Sequence, residues 1–142
     1  MSWGPAVPRE DLPARPLVEA APILVYVAGP YTHGDVGVNV RAAVLAGLQI
    51  QQAGHVAFVP HYFHFAHLLV PHSYETWMTV DLRMLGRCDW FLRLPGYSPG
   101  ADREQERART LGLPLYFSVE ACLAALPKGE VHDGSIHHSG RL

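Results

Sequence analysis

The chain has 142 residues, 49% of them hydrophobic and 17% charged, with a formal net charge of −2. That is one domain with enough apolar material for a core, and its near-neutral balance carries no electrostatic footprint for a nucleic-acid polymer. No stretch approaches a membrane span, and the N-terminus lacks the basic-then-apolar layout of a secretory leader, so a cytoplasmic protein that does not engage membranes is expected.

Residues 1–22 carry Pro5, Pro8, Pro13, Pro16 and Pro22 with little periodicity and read as an extended arm. Ile23 to Ala28 is a continuous apolar run, as in a strand covered on both faces. A loop from Gly29 to Gly37 leads to a helix from about Val38 to Ala53, stopped by Gly54. Val56 to Val59 reads as a second buried strand, ended by Pro60, and residues 61–73 as a short helix and loop rich in aromatic residues and histidine. A helix from Tyr74 to Arg87 gathers Trp77, Met78, Leu82 and Leu85 near one face. Asp89 to Leu94 is the third strand, Ala101 to Leu111 a helix, and Pro114 to Phe117 the fourth strand. Ser118 caps a last helix reaching Leu126, and residues 127–142 form a polar tail holding His132, His137 and His138.

Alternating strands and helices predict an α/β domain over 23–126. The expected fold is a doubly wound parallel sheet of four to five strands in a flavodoxin- or Rossmann-like three-layer sandwich. The unusual polar residues then collect after the strands, at the carboxyl edge where such sheets bind ligands.

The richest of these loops is Leu94-Pro-Gly-Tyr-Ser-Pro-Gly-Ala-Asp-Arg-Glu104. It brings Ser98, backbone amides and the Glu104 carboxylate to a helix N-terminus, which attracts anions and favours an ionised carboxylate. Glu106, about 200° further round the helix, faces solvent in this reading and serves as the internal control. Asp81 is an odd charge among apolar neighbours. It reads either as a cap or ion-pair partner of Arg83 or Arg87, or as a general acid or ligand anchor. Asp89 at a strand start is structural. Tyr26, near the end of the first strand, is by position a core tyrosine with one satisfied hydroxyl.

Arg93 in an apolar strand is left to pair with a carboxylate or to reach a phosphate. His61, His64 and His67 at i, i+3, i+6 invite a zinc proposal, but the segment's composition is poor for a clean helix and no metal is expected. Cys88 and Cys122 lie far apart in apolar helical patterns and read as buried free thiols of a reducing compartment. A phosphate loop, a dinucleotide fingerprint and a Gly-x-Ser-x-Gly elbow are all absent, which takes most of the weight from kinase-type, dehydrogenase and elbow-hydrolase readings.

Several pieces together resemble the nucleoside 2-deoxyribosyltransferase superfamily, which includes the 2′-deoxynucleoside 5′-monophosphate N-hydrolases. They are Val25-Tyr-Val-Ala-Gly-Pro30, Gly54-His55 running into Val59-Pro-His61, Trp77-Met-x-x-Asp81, Cys88-Asp89 and Ser98-x-Gly-Ala-x-x-Glu104. The resemblance spans residues 23–118. It implies Glu104 as the nucleophile at C1′ of the sugar, Tyr26 orienting it, and Asp81 assisting protonation of the leaving base. Gly29, Pro30, Tyr31, Thr32, His33, His61, Gly96, Ser98, Gly100 and Ala101 are the implied substrate-binding residues. No cofactor is implied, the ligand is a small nucleoside or nucleotide, and a homodimer or higher homo-oligomer is expected.

Ser98, standing where transferases tend to carry an aspartate, points to a 5′-monophosphate and hence to an N-hydrolase. The first loop, Gly29-Pro-Tyr-Thr32, lacks the serine that hydrolases often use there and leans toward a transferase, with Thr32 or His33 as substitute phosphate contacts. A non-catalytic nucleotide-binding module is the rival of another class.

Overall fold

The computed structural model describes residues 21–128. The arm and the tail read from sequence lie, apart from Ala21, Pro22, Pro127 and Lys128, outside these residues. Four strands, β1 (Leu24–Ala28), β2 (Val56–Phe58), β3 (Trp90–Arg93) and β4 (Leu115–Tyr116), form one parallel sheet in the order β2-β1-β3-β4. The central strand β1 is LVYVA, buried from Val25 to Ala28, as its unbroken apolar run requires. β2 is an edge strand. Its Val56 is exposed while Ala57 and Phe58 are half-buried and Val59 just beyond lies in the core, so the expected buried strand is found only in part, β2 having a neighbour on one side alone.

The helices are α1 (Val36–Gln52), α2 (His64–Leu69), α3 (Tyr74–Leu85), α4 (Pro99–Thr110) and α5 (Val119–Ala125). α2 follows a 3-10 turn, Pro60–Phe63. α1 begins two residues before the expected start because the Asp35 side chain accepts from the Val38 amide at 2.9 Å and caps it. α4 also begins two residues early. Ser98 is its N-cap and Pro99, which has no amide to leave unpaired, occupies the first turn.

Two cores flank the sheet. Val25, Val27 and Leu92 face Ala43, Ala46 and Ile50 of α1 and Cys122 of α5. Tyr26, Ala28 and Phe91 face Leu85 of α3 and Ala101 and Ala108 of α4. The molecule is thus the three-layer α/β sandwich expected, with four strands among the described residues. From β1 the chain crosses to one side of the sheet and from β3 to the other. The loops leaving β1 and β3 therefore part and leave a crevice at this topological switch point.

Candidate active site

The crevice is built first from an ion pair. Arg93, at the end of β3, is 9% exposed, and its guanidinium donates to the carbonyls of Leu94 (2.6 Å) and Gly96 (2.9 Å) and to Asp102 Oδ1 (3.0 Å). The carboxylate alternative for Arg93 is the one found, and Arg93 does not line the cavity. It ties the loop after β3 to the first turn of α4. Gly96 in that loop has φ +116°, and a Cβ there would stand 2.7 Å from Pro30 Cγ, so the two loops touch where only glycine fits. Pro30 and Gly96 therefore pack on each other behind the site, whereas Gly29, Tyr31, Thr32, His33, His61, Ser98, Gly100 and Ala101 line it.

The cavity has a volume of about 390 Å³. At its floor Glu104 projects from the inward face of α4, one turn from Ala101 and Ala108, and is 6% exposed. The Tyr26 hydroxyl donates to Glu104 Oε2. Tyr26 itself is clamped between the rings of Phe91 (centroids 5.7 Å, stacked) and Phe58 (5.5 Å). Burial above all, with the Glu104 charge beside it, holds the phenol protonated far above its ordinary range, so it stays a donor. Glu106, by contrast, is exposed and only 3.9 Å from Arg109 on the solvent side.

Burial pushes the Glu104 carboxyl up to about 8; the Tyr26 hydrogen bond and Arg93 act against this and Asp81 adds to it. The expectation of a carboxylate ionised by the helix terminus is corrected here. Glu104 sits in the second turn, beyond the reach of the terminal dipole, and in a desolvated place. Few amides at that terminus are free. Pro99 has none, and the Ala101 amide already donates to Ser98 Oγ at 3.1 Å.

Asp81 reaches the same cavity from α3. Its Oδ1 is buried without a hydrogen-bond partner, and burial pushes the carboxyl up to about 7. The alternative of an ion pair with Arg83 or Arg87 is not realised. Among the described residues the ion pairs are Arg93–Asp102, Arg103–Glu75 and Arg109–Glu106. Asp89 accepts from the Leu24 amide at 2.9 Å and is structural, as expected.

The side wall is aromatic, and sequence reasoning largely missed it. Phe63 stacks on Trp77 (5.5 Å), and His72, Tyr74 and Met78 line the cavity beside them. Trp77 and Met78 lie four and three positions before Asp81, so the helical spacing that aims Asp81 inward also aims them. His61, His64 and His67 all line the cavity but do not converge. His61 Nε2 meets the Pro30 carbonyl at 2.9 Å, His64 Nδ1 the Tyr31 hydroxyl at 2.5 Å, and His67 Nδ1 the Trp77 indole N–H at 2.8 Å. No group of three or more His, Cys, Asp or Glu placed to hold a metal ion occurs among the described residues. Among the described residues, no lysine or arginine lines the cavity either.

Against known families, residues 23–117 match the model described as Domain of unknown function (DUF4406). The chain belongs to the DUF4406 family. The match covers this DUF4406 domain from β1 through β4 and so contains every site residue described above. No curated protein matches the chain. Among solved structures, the DUF4406 chain is similar to a 2-deoxyribosyltransferase from the psychrotolerant bacterium Bacillus psychrosaccharolyticus. The TM-score is 0.49 at 20% identity, over 65% of this chain and 69% of that chain.

Proposed function

We propose that this protein cleaves the N-glycosidic bond of a nucleoside-type substrate through a covalent glutamyl-sugar intermediate. The observation that carries the reading is a pair of carboxyls from two helices, Glu104 buried and Asp81 half-buried, facing one aromatic-walled cavity. One is held by a tyrosine hydroxyl and the other has a free buried oxygen. The cavity volume, about 390 Å³, lies in the range of small-molecule sites.

In this reaction the Glu104 carboxylate attacks C1′ as the C–N bond breaks, passing through an oxocarbenium-like state that its charge stabilises. The Tyr26 hydroxyl holds the far carboxylate oxygen. The proton on Asp81 goes to the departing base nitrogen, because a nucleobase leaves poorly as an anion. Water or a second base then attacks C1′, releases Glu104 and returns a proton to Asp81. The Phe63–Trp77 stack offers the base a flat apolar partner.

Two observations favour an uncharged nucleoside over a 5′-monophosphate, against the expectation drawn from Ser98. No fixed cation lines the cavity among the described residues, and the start of α4 has little free N–H to offer. The assembly expected from the resemblance is part of the same proposal. It is supported by Phe65, Leu68, Leu69 and Val70, which α2 and the residue after it leave 60–84% exposed; light scattering on the full chain checks it.

The reading is tested by incubating wild type and E104A with ribo- and deoxynucleosides and their 5′-monophosphates, with and without a second free base. The expected result is base release by wild type and a loss of at least about 10³-fold in E104A. Release without an acceptor means a hydrolase, and a new nucleoside only with an acceptor means a transferase. Binding without any release would replace the enzyme by a binding module.

A further inference from the structure

Tyr31, Thr32 and His33 line the cavity from the loop between β1 and α1, yet among the described residues no backbone–backbone hydrogen bond is made by any of residues 30–34. Side chains hold this loop instead. The side-chain amide of Asn39, in the first turns of α1, donates to the Tyr31 carbonyl at 2.9 Å and to the His33 carbonyl at 2.8 Å. Both carbonyls can only accept, so the Asn39 nitrogen faces them and each of its two hydrogens has its own partner. Gly34, at φ +87°, then turns the chain toward the Asp35 cap. Asn39 is itself anchored, its backbone amide donating to the Asp35 carbonyl at 2.9 Å, and it does not line the cavity. The loop joins the two sides of the crevice. The Tyr31 hydroxyl meets His64 Nδ1 of α2 at 2.5 Å, and the His33 ring lies edge-on to Tyr97 of the loop after β3, centroids 4.9 Å apart.

We propose that Asn39 is a positioning residue that sets ligand affinity by holding residues 31–33 in place as one wall of the cavity. Glu104, Tyr26 and Asp81 come from α4, β1 and α3, so the loop contributes none of the reacting groups and Asn39 acts on binding rather than on the chemical step. A wall that is in place only part of the time lowers the apparent affinity by that fraction. The choice of probe ligand rests on the nucleoside reading.

N39A removes both donors, and N39D keeps the shape while placing, at pH 8, a carboxylate oxygen against two carbonyls. 15N relaxation on the full chain reads the loop without any ligand. Backbone order parameters of Tyr31 to His33 are expected to fall from about 0.85 to below about 0.6 in both variants, with β1 and β3 unchanged. Calorimetry with a nucleoside is expected to show a roughly 10-fold loss of affinity in both, as for a loop in place about a tenth of the time. In turnover the same loss is expected as a raised KM with kcat kept. A loop as ordered in N39D as in wild type overturns the proposal. A disordered loop with unchanged affinity overturns it too, leaving Asn39 a stabilising role alone. If no nucleoside binds any of the three proteins, the glycosidic reading falls, and the order parameters alone decide whether Asn39 positions the wall.

Discussion

Glu104 and Asp81 have different jobs in the proposed reaction, one ionised and one protonated, yet burial raises both into the neutral range, to about 8 and about 7. That order is the reverse of the one these jobs need, so the reactive form, with Glu104 ionised and the proton on Asp81, is the minor form of the singly protonated pair, and the titration steps belong to the pair. The expected kcat/KM profile is a bell with its maximum between about pH 7 and 8, and a flat profile from pH 5 to 9 counts against the pair. D81N removes the proton donor and is expected to lower kcat/KM by about 10² to 10⁴ on an ordinary nucleoside. The loss should shrink on a glycoside whose leaving group needs no proton, and an equal loss on both substrates would assign Asp81 to binding. At this scale the sequence was partly legible. Glu104 stood out through its Ser-Pro-Gly-Ala lead-in, but its raised pKa did not, because burial depends on which strand and ring lie above it.

At the scale of elements, the loop between β3 and α4 is specified by a small number of residues. Gly96 is needed both for its φ of +116° and for the space Pro30 occupies, whereas Gly112 has φ +72° and nothing within 4 Å. G96A is expected to cost about 2 kcal/mol or more and to weaken catalysis by moving Ser98, and G112A about 1 kcal/mol with activity intact. Thermal melts and kcat/KM of the two variants check this, and matching behaviour would show that the contact with Pro30 is unimportant. The longer helices were readable from apolar spacing with starts two residues late in α1 and α4, and Ser118 was legible as a cap where Ser98 was not. What escaped was context: the Asp35 cap, the edge position of β2, and the aromatic wall, whose members come from the 3-10 turn, the loop before α3 and α3 itself, which meet only in the fold.

At the scale of the whole molecule, the alternation of strands and helices was enough to give the three layers and the site edge, since parallel sheets leave few arrangements. The cost of the site is also global. Both carboxyls titrate higher in the folded chain than in an unfolded one, so the folded state binds more protons across roughly pH 4 to 8. Stability from these groups is full below their unfolded pKa values and is lost as pH rises through the folded ones. E104Q, which still accepts from Tyr26, is therefore expected to be more stable than wild type, by on the order of 3 kcal/mol at pH 8, with little difference at pH 4.5. Melting curves at the two pH values test it, and a gap that does not widen with pH would contradict the burial argument. Finally, Trp77 stacks on Phe63 at the cavity wall, while Trp90 packs on Tyr116 at 4.7 Å and does not line the cavity. The molecule thus carries its own optical reporter of occupancy: a ligand entering the cavity should quench the indole emission of Trp77, and W77F should abolish that response while Trp90 keeps fluorescing.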